Sequence, residues 1–551
     1  PHPLEGMHGI RLRPGSNRIE LRGRLYNRTS LTRTFLWWAN IAARVHDRYQ
    51  SIFPPDVNYV ADHAVRAMTS FPRAEGHYYG IDYSERPGAD DLSWYKNIPV
   101  PTSYMVCQSR FDFFGGYDFD ADGGFVHVAD RRVAPGKKQW TWGNDRFGWT
   151  WDRELTDRGG PYVELMAGVF TDNQPDFTYL KPGEVKTFTQ SWWPHRALGA
   201  VQNANEKAAL RLVHADGRLE GGVAVSERLE GARIRVATPE KTLFEKRLDL
   251  SPDRPWQASF PLDAGEGKAA ARIHLSETDG REILRHAIPV EAPERTRKTA
   301  REPAAPAEVG ATDELYRIGE HLELYRHPTR NPELYWDEAL RRDPGDTRCH
   351  LALGRRCLDR GSFARAERHL RQAVERLTEL HPNPETGEAH YYLGLACRWL
   401  GREEEGFGLC AKAVWDFAWR SPGYLEMAAY ALRRDADADA LSYAEAALDT
   451  NRLNNRARIL AAIAERRLGR NEAAARRLSR LLEEDPLDHW ARFERAAVTG
   501  EDEEAFWGRS RNDAQTLLDL AFDYAEAGET GRAIRLLEQH HERETVPVAV
   551  P

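Results

Sequence analysis

The stretch Gly159–Trp193, GGPYVELMAGVFTDNQPDFTYLKPGEVKTFTQSWW, decides how the first part of this chain is read. Tyr162-Val163-Glu164-Leu165-Met166-Ala167 alternates as a strand does. Val163, Leu165 and Ala167 fall on one face; Tyr162, Glu164 and Met166 fall on the other. A carboxylate set among apolar residues in this way is a candidate catalytic group, so Glu164 is the first candidate residue; a solvated surface strand is the competing reading. The polar turn Thr171–Asp176 follows, and after Leu180-Lys181-Pro182-Gly183-Glu184 the chain returns as a closing strand.

Working outward, residues 1 to about 195 carry short alternating runs broken by Gly, Pro, Asn and Asp, the signature of an all-β domain. The turn Pro14-Gly15-Ser16-Asn17 joins two strands into a hairpin. A strand over Phe35–His46 puts Phe35, Trp37, Ala39, Ile41, Ala43 and Val45 on one face, with Trp38, Asn40, Arg44 and His46 opposite. Another, within Pro135–Asn144, aligns Lys138, Trp140, Trp142 and Asn144. Nine of the 16 tryptophans precede His195. Indole planes beside charged and hydrogen-bonding groups suit a sugar, whose C–H faces stack on rings while its hydroxyls take the polar groups. Any single tryptophan reads as well as packing between sheets. Between Phe53 and Phe114 the pattern is irregular, and His63 and His77 there lack a second ligand at metal spacing, which points to structural or surface roles.

From Lys207 to Val290 aromatic residues thin out, and short strands alternate with Asp-Gly turns at Asp216-Gly217 and Asp279-Gly280. A small β-sandwich of immunoglobulin size is expected over 205–292, acting as a spacer. A charged, Pro/Ala-rich linker fills 293–311. Beyond it a helical frame recurs with starts near 313, 347, 387, 421 and 455, steps of 34, 40, 34 and 34 residues. Small and large positions repeat within it: Leu353-Gly354, Gly361, Ala366 and Leu370, then Leu393-Gly394 and Gly401, then Ala428, Ala440 and Ala447.

Those repeats resemble the tetratricopeptide (TPR) superfamily over 312–545. The resemblance implies a solenoid of paired helices with a concave surface and a protein or peptide partner; docking on the chain's own β domains is the alternative. The N-terminal part, 1–200, is similar to the galactose-mutarotase-like β-supersandwich, the fold of aldose 1-epimerases, and looks closest to an uncharacterised bacterial domain family found ahead of TPR arrays. The residues carrying this are Trp37-Trp38-Ala39-Asn40, Tyr162-Val163-Glu164 with Gln174-Pro175-Asp176, and Leu180–Glu184. In epimerases a glutamate in this setting takes the proton of the anomeric hydroxyl while a histidine directly after an asparagine protonates the ring oxygen. Glu164 matches the first; here Asn40 is followed by Ile41, and His46 lies six residues further, about 20 Å along a strand.

The 551 residues hold several domains. With 41% hydrophobic and 29% charged residues and no apolar run near ~20 residues, no membrane span is expected. A net charge of −8 with both signs interspersed argues against nucleic acid. Five cysteines with no metal spacing suit a reducing cytoplasm and imply no metal or cofactor. The chain starts at Pro1 just before a strand, so a supersandwich truncated at its N-terminus is expected. The functional expectation is a cytoplasmic bacterial protein that binds, and in the enzyme reading converts, a carbohydrate. Glu164 is the base or hydroxyl acceptor, Trp38, Trp140 and Trp142 are platforms, and Asn40, Arg44, Lys138 and Asp172 bind polar groups. A non-catalytic TPR scaffold, or a glycoside hydrolase pairing Glu164 with a second carboxylate such as Asp172, are the alternatives.

Overall fold

The structure is a computed structural model that describes residues 4–261, 270–291, 298–327 and 329–543. The first part of the expected linker, residues 262–269, residue 328 and both termini lie outside the described residues.

In chain order the first strands are β1 (Leu4–Leu12), β2 (Ile19–Asn27), β3 (Arg33–Phe35), β4 (Trp37–Arg44), β5 (Tyr49–Ile52), β6 (Tyr59–Ala61), β7 (Met68–Ser70), β8 (His77–Tyr78) and β9 (Ile81–Asp82). They continue with β10 (Thr102–Val106), β11 (Phe113–Asp118), β12 (Gly123–Val128), β13 (Gly136–Thr141), the helix α1 (Arg146–Leu155), β14 (Tyr162–Val169), β15 (Thr178–Leu180) and β16 (Val185–Arg196). Two six-stranded sheets result, ordered β1-β2-β16-β12-β11-β5 and β4-β14-β13-β10-β6-β7. Phe53, Tyr104, Phe114, Val163, Leu165, Ala167 and Trp192 close the core between them, and the apolar alternation of β14 supplies three of these side chains.

Three local readings change. The run from Phe35 to His46 is broken at Leu36, because β3 pairs with β15 while β4 pairs with β14. His46 lies past the strand end and pairs with Asp118 at 2.9 Å. The stretch read as irregular contains β10, a central strand buried at every position, and a strand covered on both faces shows no alternation to read.

Two four-stranded sheets follow between Asn203 and Ile288, around Leu210, Leu212, Val223, Ile234, Val236, Ile273 and Leu275. The Asp216-Gly217 turn has both residues at positive φ, 48° and 74°, the conformation a two-residue hairpin demands.

The rest is helical: α2 (Thr312–Tyr325), α3 (Glu333–Arg342), α4 (Thr347–Asp359), α5 (Phe363–Thr378), α6 (Glu388–Trp399), α7 (Glu403–Ala413), α8 (Arg420–Arg433) and α9 (Asp437–Thr450), then α10 (Asn455–Arg467), α11 (Asn471–Glu484), α12 (His489–Thr499), α13 (Glu503–Ser510), α14 (Ala514–Glu526) and α15 (Thr530–Arg543). Successive pairs pack as a TPR-like solenoid. The small positions of the repeat are where backbones close up: a Cβ on Gly354 would sit 2.6 Å from Leu370 of α5. The array curls until Arg398 of α6 meets Glu526 of α14 at 2.6 Å and Glu426 of α8 at 3.3 Å. No helix among the described residues is long and apolar enough to cross a membrane.

The inside of that curl is filled by the chain's own β domain. Asn27, fully buried, shapes the β2–β3 turn by donating to the carbonyls of Leu31, Leu180 and Lys181 at 2.8–3.0 Å. The ribbon it holds runs along the first helices of the repeats. Arg24 pairs with Asp485, Arg28 with Asp523, Arg33 with Asp359, and Ser30 donates to Glu426. Tyr391 donates to the Ser30 carbonyl at 2.9 Å, and Tyr26 to Asn454 at 3.2 Å.

Candidate functional site

The second sheet turns one face to the core and the other outward, and the strand pleat decides which residues share the outer one. On β4 it carries Trp38, Asn40, Ala42 and Arg44; on β14, Tyr162, Glu164, Met166 and Gly168; on β13, Gly136, Lys138 and Trp140. Register sets Glu164 between Ala42 and Trp140, and Met166 between Asn40 and Lys138. Lys138 is therefore diagonal to Glu164, a spacing long side chains span. Trp38 lies over paired glycines: a Cβ on Gly136 or Gly168 would come within 2.8 Å of its indole.

Asn40 Nδ2 approaches Glu164 Oε2 at 3.4 Å. Glu164 is half-buried, and burial raises its carboxyl above the usual range while the nearby Lys138 cation opposes the shift. Lys138 itself is pushed down to about 8 by burial, with Glu164 acting against that. Its ammonium donates to Gln174 Oε1 at 2.7 Å, reaches His63 Nε2 at 3.3 Å and lies 5.8 Å over the Trp38 ring.

His63 is the residue the sequence undervalued. Burial first, and then Lys138, push it down to about 4, so at neutral pH its Nε2 accepts from Lys138 and its Nδ1–H is left for Ser103 Oγ at 3.1 Å. Ser103 in turn meets the Tyr79 hydroxyl at 2.7 Å. A strained turn presents this histidine: Ala64 and Val65 both have positive φ, 64° and 55°. Ala64 N–H donates to the Gln174 carbonyl and to Asn173 Oδ1, each at 3.0 Å, so the Thr171–Asp176 turn and the His63 turn clamp each other. His63, Ser103, Tyr79 and Gln174 come from four separate segments, and no sequence spacing links them. The strained His63 turn and the polar Thr171–Asp176 turn are the nearest thing to a signal.

Trp140 and Trp142 meet edge to face at 5.4 Å, Trp142 donates to Tyr162 OH at 3.4 Å, and Trp142 stacks on Trp151 of α1 at 4.8 Å. Helix α1, absent from the sequence reading, leaves Phe147, Trp149 and Trp151 exposed beside the face. These tryptophans thus lie outside the sandwich, whereas Trp192 and Trp37 pack between the sheets. Arg44 is exposed at the far end of β4, opposite Tyr162. Asp172 is half-buried in the turn after β14, and its neighbour Gln174 is the residue that reaches Lys138.

One set of carboxylates among the described residues, Glu5, Asp485 and Asp488, brings oxygens within 4.8 Å of one another, at the junction with the array. Burial, then Asp488, push Glu5 up to about 7. Arg24, Arg28 and Asn455 already engage the group, at 2.8–3.4 Å where Asn455 meets Asp485 and Asp488 and Arg28 meets Glu5, which makes it an interface cluster.

Residues 9–195 match the model of a family described as a domain of unknown function (DUF5107), and residues 203–286 match that of YphG-like protein, second domain. Among solved structures, a TPR-domain containing protein from Parabacteroides distasonis is 15% identical, with 92% of this chain and 71% of that one covered at a TM-score of 0.30. A tetratricopeptide repeat protein from Parabacteroides merdae is also 15% identical, covering 42% of this chain and 92% of its own at 0.32. YrrB, described as a TPR protein with an unusual peptide-binding site, is 17% identical over 33% of this chain and 89% of its own at 0.27.

Proposed function

We propose that the outward face of the second sheet binds a carbohydrate, with Glu164 accepting from a sugar hydroxyl or removing its proton. The observation that carries this reading is the setting of Glu164: a half-buried carboxylate with raised pKa, flanked across strands by Trp140 and Asn40 and diagonal to the Lys138 cation. Trp38, Trp140 and Trp142 offer stacking planes, extended by Trp151 toward a ligand longer than one ring. Asn40 serves hydroxyls, and Arg44 and Asp172 serve the two ends; Lys138, expected to bind the ligand, is buried and held by Gln174 and His63, and acts through its charge on Glu164. The resemblance to the mutarotase-like supersandwich agrees with sugar handling, while a fold alone does not choose the reaction. The group diagonal to Glu164 is an amine, which favours binding or proton transfer over the two-carboxylate hydrolase alternative.

Calorimetry of the whole chain against mono- and oligosaccharides tests the reading. Saturable binding is expected, weakened about tenfold or more in Glu164→Gln and in Trp140→Ala; identical isotherms in all three proteins would remove the face from the site.

A second reading, of the helical array, rests on a separate observation. Its inner side holds the ribbon from Arg24 to Thr34 of the same chain. We infer that the array first serves as a frame for the β domain, and that a protein partner meets its outer helices. Pull-down of a partner that survives outer-face substitutions such as Arg368→Glu and Arg476→Glu would count against this.

A further inference from the structure

Between the β3–β15 ribbon and the start of the array lies a cavity of about 400 Å³ that the carbohydrate reading does not use. Residues 31–34 and Tyr179 form one wall, and α2, α4 and α6 the other. Five arginines line it, Arg33, Arg326, Arg355, Arg356 and Arg360, against two carboxylates, Glu323 and Asp359. Glu333 and Glu388 stand just behind the lining beside Arg356, Arg360 and Arg355, so five arginines meet four carboxylates and positive charge is left in excess by one.

The pairing of these arginines is uneven. Asp359 takes Arg33; Arg356 uses Glu323 at 3.2 Å and Glu333 at 2.8 Å, and Arg360 shares Glu333 at 2.7 Å. Arg326 donates to Thr34 Oγ1 at 2.9 Å and lies over the Phe177 ring. Arg355 is the exception. Its nearest carboxylate is Glu388 at 3.6 Å, past hydrogen-bond reach, and burial raises the pKa of that carboxyl. Among the described residues the Arg355 guanidinium, with five N–H donors, makes no hydrogen bond, and 27% of its side chain stays accessible where it lines the cavity. The Tyr392 ring fixes it from one side at 5.8 Å. Hydroxyls complete the lining: Thr32 Oγ1 and Tyr392 OH meet at 2.7 Å, with Thr34 and Tyr179 beside them.

We propose that this cavity binds a small molecule carrying a phosphate group, anchored by the planar donor fork of Arg355. A guanidinium presents paired N–H groups at the spacing of phosphate oxygens, and the arginines around it still outnumber the carboxylates. The volume suits one compact metabolite rather than a nucleic-acid strand. Because its walls come from the β ribbon and from the helices, an occupant ties the two regions together, so binding raises the unfolding temperature.

The test is calorimetry and thermal unfolding of the full chain at fixed ionic strength with inorganic phosphate, pyrophosphate and glucose 6-phosphate, with citrate as the carboxylate comparison. One-to-one binding of at least one phosphate probe is expected, weakened at least tenfold in Arg355→Met and several-fold in Arg355→Lys, which keeps charge but loses the fork. Arg317→Met, outside the cavity, should bind as the parent does. Melting of each ligand-free variant shows that it is folded, and the lysine variant decides the matter if the methionine one is not. No saturable binding of any phosphate probe at millimolar concentration, undiminished binding in both Arg355 variants, or tighter binding of citrate than of every phosphate probe would each overturn the proposal.

Discussion

The outer face of the second sheet and the edge ribbon of the same domain are built from similar residues, and the molecule treats them in opposite ways. The ribbon's Arg24, Arg28 and Arg33 each find a carboxylate on the array, and the first two pairs are buried in the contact. On the sheet face Lys138 and Glu164 are held near each other without closing a salt bridge, and the tryptophans beside them stay open to solvent along α1. Shifted carboxyls occur in both regions, Glu5 at the joint and Glu164 on the face; what separates them is that arginines close on the acids of the joint, while rings stay exposed beside the face.

Breaking the joint should produce the largest effect. Arg24→Ala leaves Asp485 buried without its cation, with Asn455 still donating to it, and breaking a buried pair costs about 3–5 kcal/mol. Combined with Arg28→Ala, it should split chemical unfolding into separate β and helical transitions; one unchanged transition would mean that the ribbon contact is not what joins the regions. The sheet face should respond the other way. Glu164 has a raised pKa in the folded state, so its ionisation opposes folding as pH rises through that value; Glu164→Gln is expected to leave stability at pH 7 unchanged or up to about 0.5 kcal/mol higher while lowering saccharide affinity. A clear loss of stability would make Glu164 a structural residue like those of the ribbon.

A pH series sharpens the contrast further. Lys138 gives up its proton near pH 8, so ligand affinity that depends on its charge should fall as pH rises through about 8, and Lys138→Met should flatten that profile. The smallest effect on ligand affinity is expected at Lys137, the next residue, which faces the other side of the strand and is pushed down to about 8 by burial. Between pH 8 and the unfolded lysine range the unfolded chain holds the extra proton, so stability rises with pH there, and at pH 7 the buried charge is a cost. Lys137→Met should therefore raise the melting temperature slightly without touching ligand affinity; equal effects of the two lysine substitutions on binding would dissolve the distinction between the faces.

Much of the face was legible because it is written in strand alternation. Trp38, Asn40, Glu164, Lys138 and Trp140 fall on one side by period two, and register then sets them side by side. His63, Ser103, Tyr79 and Gln174 were not legible, since turns and a strand buried on both faces carry no period. Arg355 was hidden for another reason: in a helical repeat it reads as one more surface arginine until the ribbon is laid against it.

The sequence by itself determined the local order of this protein: β strands by alternation, hairpin turns by Asp-Gly, and a helical array by a 34-residue period of small and large residues. Only the tertiary structure decided what those surfaces face, laying the chain's own ribbon against the inside of the array and leaving the tryptophans of α1 exposed beside a half-buried sheet face. Local pattern follows from the geometry of one backbone segment, whereas the partner of a surface depends on charges and shapes hundreds of residues away, such as Arg24 and Asp485.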